Sequence, residues 1–106
     1  MEIWKKCYEL TKQLPSEEKF GLVSQINRAS VSISANIAEG SARNGNKDYS
    51  RFIQIALGSS FELETFLIGI DEMKMADSTL IKEILNLIDE EQKMLMSFQA
   101  KLEARS

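Results

Sequence analysis

The chain has 106 residues, is 43% hydrophobic and carries a formal net charge of −3. That length suits one domain spanning residues 1–106, and the apolar share excludes global disorder and permits a core built without metals. With no His and a single cysteine, Cys7, the chain excludes a Ser-His-Asp or Cys-His centre, a Glu-x-x-His dimetal site and an intrachain disulfide.

The lone thiol, the lack of a recognisable leader and the lack of an apolar run near the ~20 residues of a membrane span lead us to expect a cytoplasmic protein with no membrane partner. Charge is unevenly spread. Residues 1–53 hold eight Lys/Arg against six Asp/Glu, whereas residues 54–106 hold five against ten. A dedicated non-specific nucleic-acid binder is basic overall, so this balance argues for solvated helix faces with room for one basic patch.

Apolar spacing predicts four helices. The first runs from Glu2 to Leu14, with Ile3, Trp4, Cys7, Tyr8, Thr11 and Leu14 on one side, and stops at Pro15. Ser16 is expected to cap the second, which starts near Glu17 or Phe20 and ends in the region of Gly40 to Arg43, with a kink at Gly21. Asn44-Gly45-Asn46 reads as a turn, because Asn and Gly tolerate positive φ. The third helix spans Lys47 to Met75 with Phe52, Ala56, Leu63, Phe66, Ile70 and Met73 inward. Asp77 or Ser78 then caps a fourth, which runs to Ala104 with Ile81, Ile84, Ile88, Leu95, Phe98 and Leu102 inward.

Short connections between long helices force antiparallel neighbours. The predicted fold class is therefore all-α, an antiparallel up-down-up-down four-helix bundle. The first helix, about 20 Å long, cannot cover a third helix of about 43 Å at 1.5 Å rise per residue. Bare apolar flanks on the longer helices, and so a homo-oligomer, are expected.

The second helix carries two stripes. Val23, Ile26, Ser30, Ile33 and Ile37 form the apolar one. Gln25, Arg28, Ser32, Asn36 and Glu39 form a polar one made of short amides and hydroxyls, which suit a packed, hydrogen-bonded interface better than open water. Partners on the third helix lie in a stripe of Arg51, Gly58, Glu62 and Thr65. Antiparallel packing pairs Arg28 with Glu62 and Arg51 with Glu39. Such pairs act as registry devices more often than as catalytic groups. An acid/base role for Arg28, Glu39 and Glu62 is the enzymatic alternative, and nothing else in the sequence supports it.

Ala56-Leu57-Gly58-Ser59-Ser60 places small residues in mid-helix. Gly costs about 1 kcal/mol there relative to Ala, and close helix approach is the simplest compensation. Glu62 and Glu64 point about 200° apart and cannot chelate together. Asp89-Glu90-Glu91 reads as a solvated face, and Cys7 as an inert thiol. Arg43, Lys47 and Arg51 gather near the second turn beside Tyr49 and Phe52. Repeated around a symmetric ring, they would form a positive rim able to contact RNA or DNA. No catalytic, cofactor or metal site and no small-molecule substrate are expected.

The run from Pro15 to Gly40, opening Glu17-Glu18-Lys19-Phe20-Gly21-Leu22 and closing Asn36-Ile37-Ala38-Glu39-Gly40, resembles a bacterial family. So does Arg51-Phe52 followed by Ile55-Ala56-Leu57-Gly58-Ser59-Ser60 and Glu62-Leu63-Glu64-Thr65. This is the "four helix bundle protein" family, also called the 23S rRNA intervening-sequence proteins, related to the accessory protein of diversity-generating retroelements. The resemblance implies a bundle that assembles into a ring, typically a pentamer, and it implies no established enzymatic activity. It also implies that some relatives lie within rRNA intervening sequences and that the retroelement branch, which is basic, binds nucleic acid. The positions matching the family pattern are Gln25, Arg28, Ser32, Asn36, Glu39, Gly40, Arg51, Gly58, Ser59 and Glu62, read as assembly and core positions. Two departures stand out: Ser34 or Ala35 where relatives carry Pro, and a first helix shorter by about two turns.

Overall fold

The computed structural model describes residues 2–105. The bundle has the predicted order: α1 (Glu2–Thr11), α2 (Ser24–Ser41), α3 (Asn46–Glu72) and α4 (Ser78–Ala104). Lateral contacts fix the directions. Lys6 Nζ, at mid-α1, meets Glu83 at 3.0 Å, and Gln13 Oε1, just past the end of α1, accepts from the Asp77 backbone N–H at 2.8 Å, so α1 and α4 are antiparallel. The Glu83 carboxylate, by hydrogen bond and charge, raises the Lys6 pKa. Arg28–Glu62 with Ser32–Ser59, and Gln92–Glu64 with Gln99–Gln54, set the same opposition for α2/α3 and α3/α4. The chain is up-down-up-down, and its longest dimension is 46 Å.

The helix boundaries follow local chemistry, with three departures from the predicted ones. First, α1 ends at Thr11 rather than Leu14, and Leu14 reaches the core from the turn that follows. Second, Ser16 is not a cap: it opens a 3₁₀ turn, Ser16–Glu18, after Pro15, which runs into a π-helical turn, Lys19–Val23, before α2 begins. Gly21, where a kink was expected, lies within this widened turn, a rare form of helix. Third, α3 ends at Glu72, leaving Met73 72% exposed outside the core.

The α3 C-terminus is a Schellman arrangement. Lys74 adopts φ 56°, the Lys74 N–H donates to Asp71 O, and the Met75 N–H donates to Ile70 O. Gly45, with φ 114°, opens α3, as the Asn-Gly-Asn turn requires. Asp77 caps α4 by accepting from the Thr79 N–H at 3.0 Å.

The interior divides along the long axis. Near α1, all four helices contribute: Cys7, Leu10, Ile26, Ala29, Ile33, Leu63, Leu67, Ile70, Ile81, Ile84 and Ile88 are buried. Beyond α1, Ile53, Ala56, Leu57, Leu95 and Leu102 form a second cluster, roofed by Ile37, Tyr49 and Phe98. Tyr49 and Phe98 meet edge-to-face with centroids 5.1 Å apart. The helix-length mismatch therefore does not strip the inward face of α3, because Ile37 of α2 and Phe98 of α4 close over it together with α3's own Tyr49.

The α2–α3 seam is tight because it is lined with small residues. A Cβ on Gly40 would lie 2.8 Å from both Phe52 Cβ and Tyr49 Cδ1, closer than such atoms approach. The buried hydroxyls of Ser30 and Ser60 donate to carbonyls one turn back in their own helices, at 3.1 and 2.7 Å, so they pack as small core residues without orphaned donors. Among the described residues, α3 alone is long and apolar enough to cross a membrane by length and composition. Its apolar window contains Glu62 and Glu64 and is 44% buried in the bundle.

Because the Phe52 Cβ is fixed to the α3 backbone and Tyr49 roofs the second cluster, Gly40→Ala is expected to cost about 1–3 kcal/mol. Urea denaturation followed by circular dichroism measures this, with helical content retained before the transition.

Candidate functional site: the α2–α3 face

The polar stripe of α2 meets α3 along one line. Arg28 Nη2 lies 2.7 Å from Glu62 Oε2, and its Nε donates to Gln25 Oε1 at 3.1 Å. One turn on, the Ser32 and Ser59 hydroxyls are 2.8 Å apart, and Asn36 Nδ2 donates to the Ser32 carbonyl and hydroxyl at 2.8 and 3.0 Å. Of these residues Ser59 is buried, Ser32 and Asn36 are half-buried, and Arg28 and Glu62 keep 50% and 40% of their side-chain surface. Solvent screening at that exposure limits the ion pair to roughly 0–1 kcal/mol, so it sets register more than it stabilises.

The second expected pair does not form. Glu39 instead accepts from Arg43, one turn along, at 2.7 Å, and Arg51 faces Asp48 at 3.7 Å. Local i,i+4 and i,i+3 partners lie within reach of shorter side-chain excursions than a partner across the turn. Arg28 and Glu39 are eleven residues, hence about 16 Å, apart on one helix, so Arg28, Glu39 and Glu62 do not converge on a common centre.

Arg43 and Arg51 do come together, on Phe52. Their guanidinium carbons sit 4.8 and 5.0 Å from its ring centroid. Lys47 is exposed on the same end of the bundle. Three cations are thus accompanied by two paired carboxylates, Glu39 and Asp48, leaving a patch of formal charge about +1 rather than +3 before the wider field is considered.

One feature of this face was not read from the sequence. On the outer side of α3, Ile55, Phe61 and Ile68 are 43%, 45% and 44% exposed. Gly58 and Thr65 are exposed between them. A Cβ added at Gly58 would meet nothing within 4 Å. Close approach of a neighbouring helix in the same protomer therefore does not account for this glycine. The signal was present: α3 carries more apolar residues than one inward stripe can hold. Similarly, Trp4 and Tyr8, read as inward on α1, are exposed, and Lys12 Nζ sits 5.0 Å from the Tyr8 ring centroid.

Cys7 is fully buried among core residues, and burial pushes its thiol pKa up to about 12. Among the described residues, no group of three or more Cys, Asp or Glu side chains is arranged to hold a metal ion.

A bundle with this order and this family-patterned α2–α3 seam is a four-helix protein of a recognisable kind. The chain matches the profile of the 23S rRNA-intervening sequence protein family over residues 1–97, and it belongs to that family. It is similar to a protein of unknown function from the S23 ribosomal protein family of Bacteroides thetaiotaomicron, solved at 1.70 Å resolution. The two are 28% identical with a TM-score of 0.76, and the match covers 92% of this chain and 97% of the other. No curated protein matches.

With the thiolate disfavoured by burial, Cys7 in the native protein is expected to stay unlabelled by a thiol-reactive chromophore near pH 8 and to react fully once urea unfolds the chain. Absorbance titration measures both.

Proposed function

We propose that this chain is a non-catalytic module that assembles with copies of itself into a closed ring and serves as a binding scaffold. The outward stripe of α3 carries the reading. Three large apolar side chains, each more than two-fifths exposed, flank a mid-helix glycine that has no packing reason inside the protomer. Glycine there costs about 1 kcal/mol relative to alanine, and a second chain lying close across the helix offsets it.

In an up-down-up-down bundle α1 and α3 stand at diagonal corners, so Trp4 and Tyr8 on α1 present an apolar patch on the side opposite the α3 stripe. Two unlike patches on opposite corners favour a head-to-tail contact, which gives a ring where the rotation between copies closes and a filament where it does not. The family resemblance supports a pentamer. Replacing Phe61 and Ile68 together by Glu should leave helicity intact and reduce the mass in sedimentation equilibrium to that of one 12.0 kDa chain. If the unmodified protein already sediments as a single chain at micromolar concentration, the assembly reading fails.

A second reading rests on the Arg43–Phe52–Arg51 stack. It holds two guanidinium groups in fixed positions beside Lys47 at the α2–α3 turn, and a ring would repeat this patch as a positive rim facing RNA or DNA. It ranks second because Glu39 and Asp48 already offset two of the three cations. In a low-salt gel-shift with structured RNA, the protein should retard the RNA, and Arg43→Glu, Lys47→Glu and Arg51→Glu together should abolish the shift. Absence of any shift by the unmodified protein rejects this reading.

A further inference from the structure

The turn between α2 and α3 carries a reactive pair that neither the polar seam nor the cation stack uses. Asn44 is followed by Gly45, and both are exposed between the last residue of α2, Ser41, and the first of α3, Asn46. Gly45 holds φ 114°, a backbone state that residues with a side chain rarely adopt, so the turn itself demands glycine there. A Cβ built on Gly45 would meet nothing within 4 Å, and the Gly45 N–H donates no backbone hydrogen bond among the described residues. This amide nitrogen is therefore neither shielded by a side chain nor tied to a carbonyl.

The chain has five asparagines, and the other four, Asn27, Asn36, Asn46 and Asn86, lie in helices. Helical backbone holds the next residue's nitrogen away from the side-chain carbonyl, and beyond the first turn its N–H is bound to a carbonyl four residues back. Asn36 is further held by its Nδ2, which donates to Ser32. Asn46 opens α3 half-buried and is followed by Lys47, whose side chain hinders approach to its nitrogen.

We propose that Asn44–Gly45 is a site of spontaneous deamidation, at which the turn slowly and irreversibly gains a negative charge beside Arg43, Lys47 and Arg51. The Gly45 nitrogen, having given its proton to solvent base, attacks the Asn44 Cγ and forms a C–N bond. The Cγ–Nδ2 bond breaks and Nδ2 leaves as ammonia, closing a cyclic imide. Water adds to one of the two imide carbonyls, the C–N bond at that carbon breaks, and the nitrogen regains a proton. Opening at Cγ gives aspartate. Opening at the main-chain carbonyl gives isoaspartate, with the chain rerouted through Cβ. One water is consumed and one ammonia released, and no oxidant, reductant or cofactor takes part. Lys47 is in no ion pair among the described residues, and its charge favours the amide anion from which attack begins. Either product lowers the formal charge of the patch from about +1 to about zero. The proposal is independent of the ring and of any nucleic-acid partner, because it uses only the turn and water.

The test ages the protein at mildly alkaline pH and follows it by intact mass spectrometry and anion-exchange chromatography. Each modified molecule should gain the mass difference between O and NH and elute as a more acidic form. Trypsin cuts after Arg43 and Lys47, and electron-based fragmentation of the peptide between them should place both aspartate and isoaspartate at position 44 with Asn46 intact. Asn44→Gln, whose longer side chain disfavours the ring closure, should keep its mass over the same interval, and circular dichroism checks that it keeps its helices. The inference is overturned if the folded protein keeps its mass over an interval in which the guanidinium-unfolded chain deamidates at Asn44. Conversion of Asn46 at an equal rate, aspartate alone at position 44, or an equal mass gain in Asn44→Gln also overturns it.

Discussion

Gly40 has no room for a side chain, and the reason is where the two middle helices meet. α2 and α3 approach closely enough to bring Phe52 and Tyr49 within 2.8 Å of a would-be Cβ, and further along the same seam the Ser32 and Ser59 hydroxyls touch. A seam lined with Gly, Ala and Ser fixes not only the distance between the helices but also the rotation of each about its own axis. With Ala56, Ser59, Ser60 and Leu63 turned into the bundle, a helix of 3.6 residues per turn must present Ile55, Gly58, Phe61, Thr65 and Ile68 outward. The exposed stripe follows from the buried seam.

The same constraint locates the polar groups. Arg28 and Glu62 bracket the seam and meet because the register between α2 and α3 is already set by small-residue packing. At their exposure the pair reports that register and adds little stability of its own. At the other end, Tyr49 and Phe98 cap the second core cluster, which keeps the inward face of α3 covered although α1 is short.

Much of this architecture was legible in the sequence. Pro15, the Asn44-Gly45-Asn46 turn and the Asp77 cap punctuate the helices, and heptad-like spacing placed Ile26, Ile33, Leu63, Ile70, Ile81, Ile84 and Ile88 in the core. The pairing of Arg28 with Glu62 followed from antiparallel connectivity alone. What was not legible depends on rotations and local competition that spacing does not encode. Trp4 and Tyr8 share a helical face with Cys7 by simple counting, yet α1 is rotated so that Cys7 and Leu10 are buried and the aromatics are not. Glu39 chose Arg43 over Arg51 because a partner four residues along the chain is nearer than one across the turn. The π-helical turn at Lys19–Val23 was visible only as a glycine. The α3 stripe was hidden by the assumption that each helix has one apolar face.

The proposed ring requires the outward side of α3, open in the protomer, to be filled by another chain. Gly58→Trp separates the two states, because a large ring projects into free space in a single protomer but into a neighbour in a ring. We expect small-angle scattering from this variant to give the mass of one chain, with helicity and unfolding midpoint close to those of the isolated protomer, while the parent protein scatters as a multiple of it. A Gly58→Trp protein that scatters with the same multiple-chain mass as its parent would contradict the account.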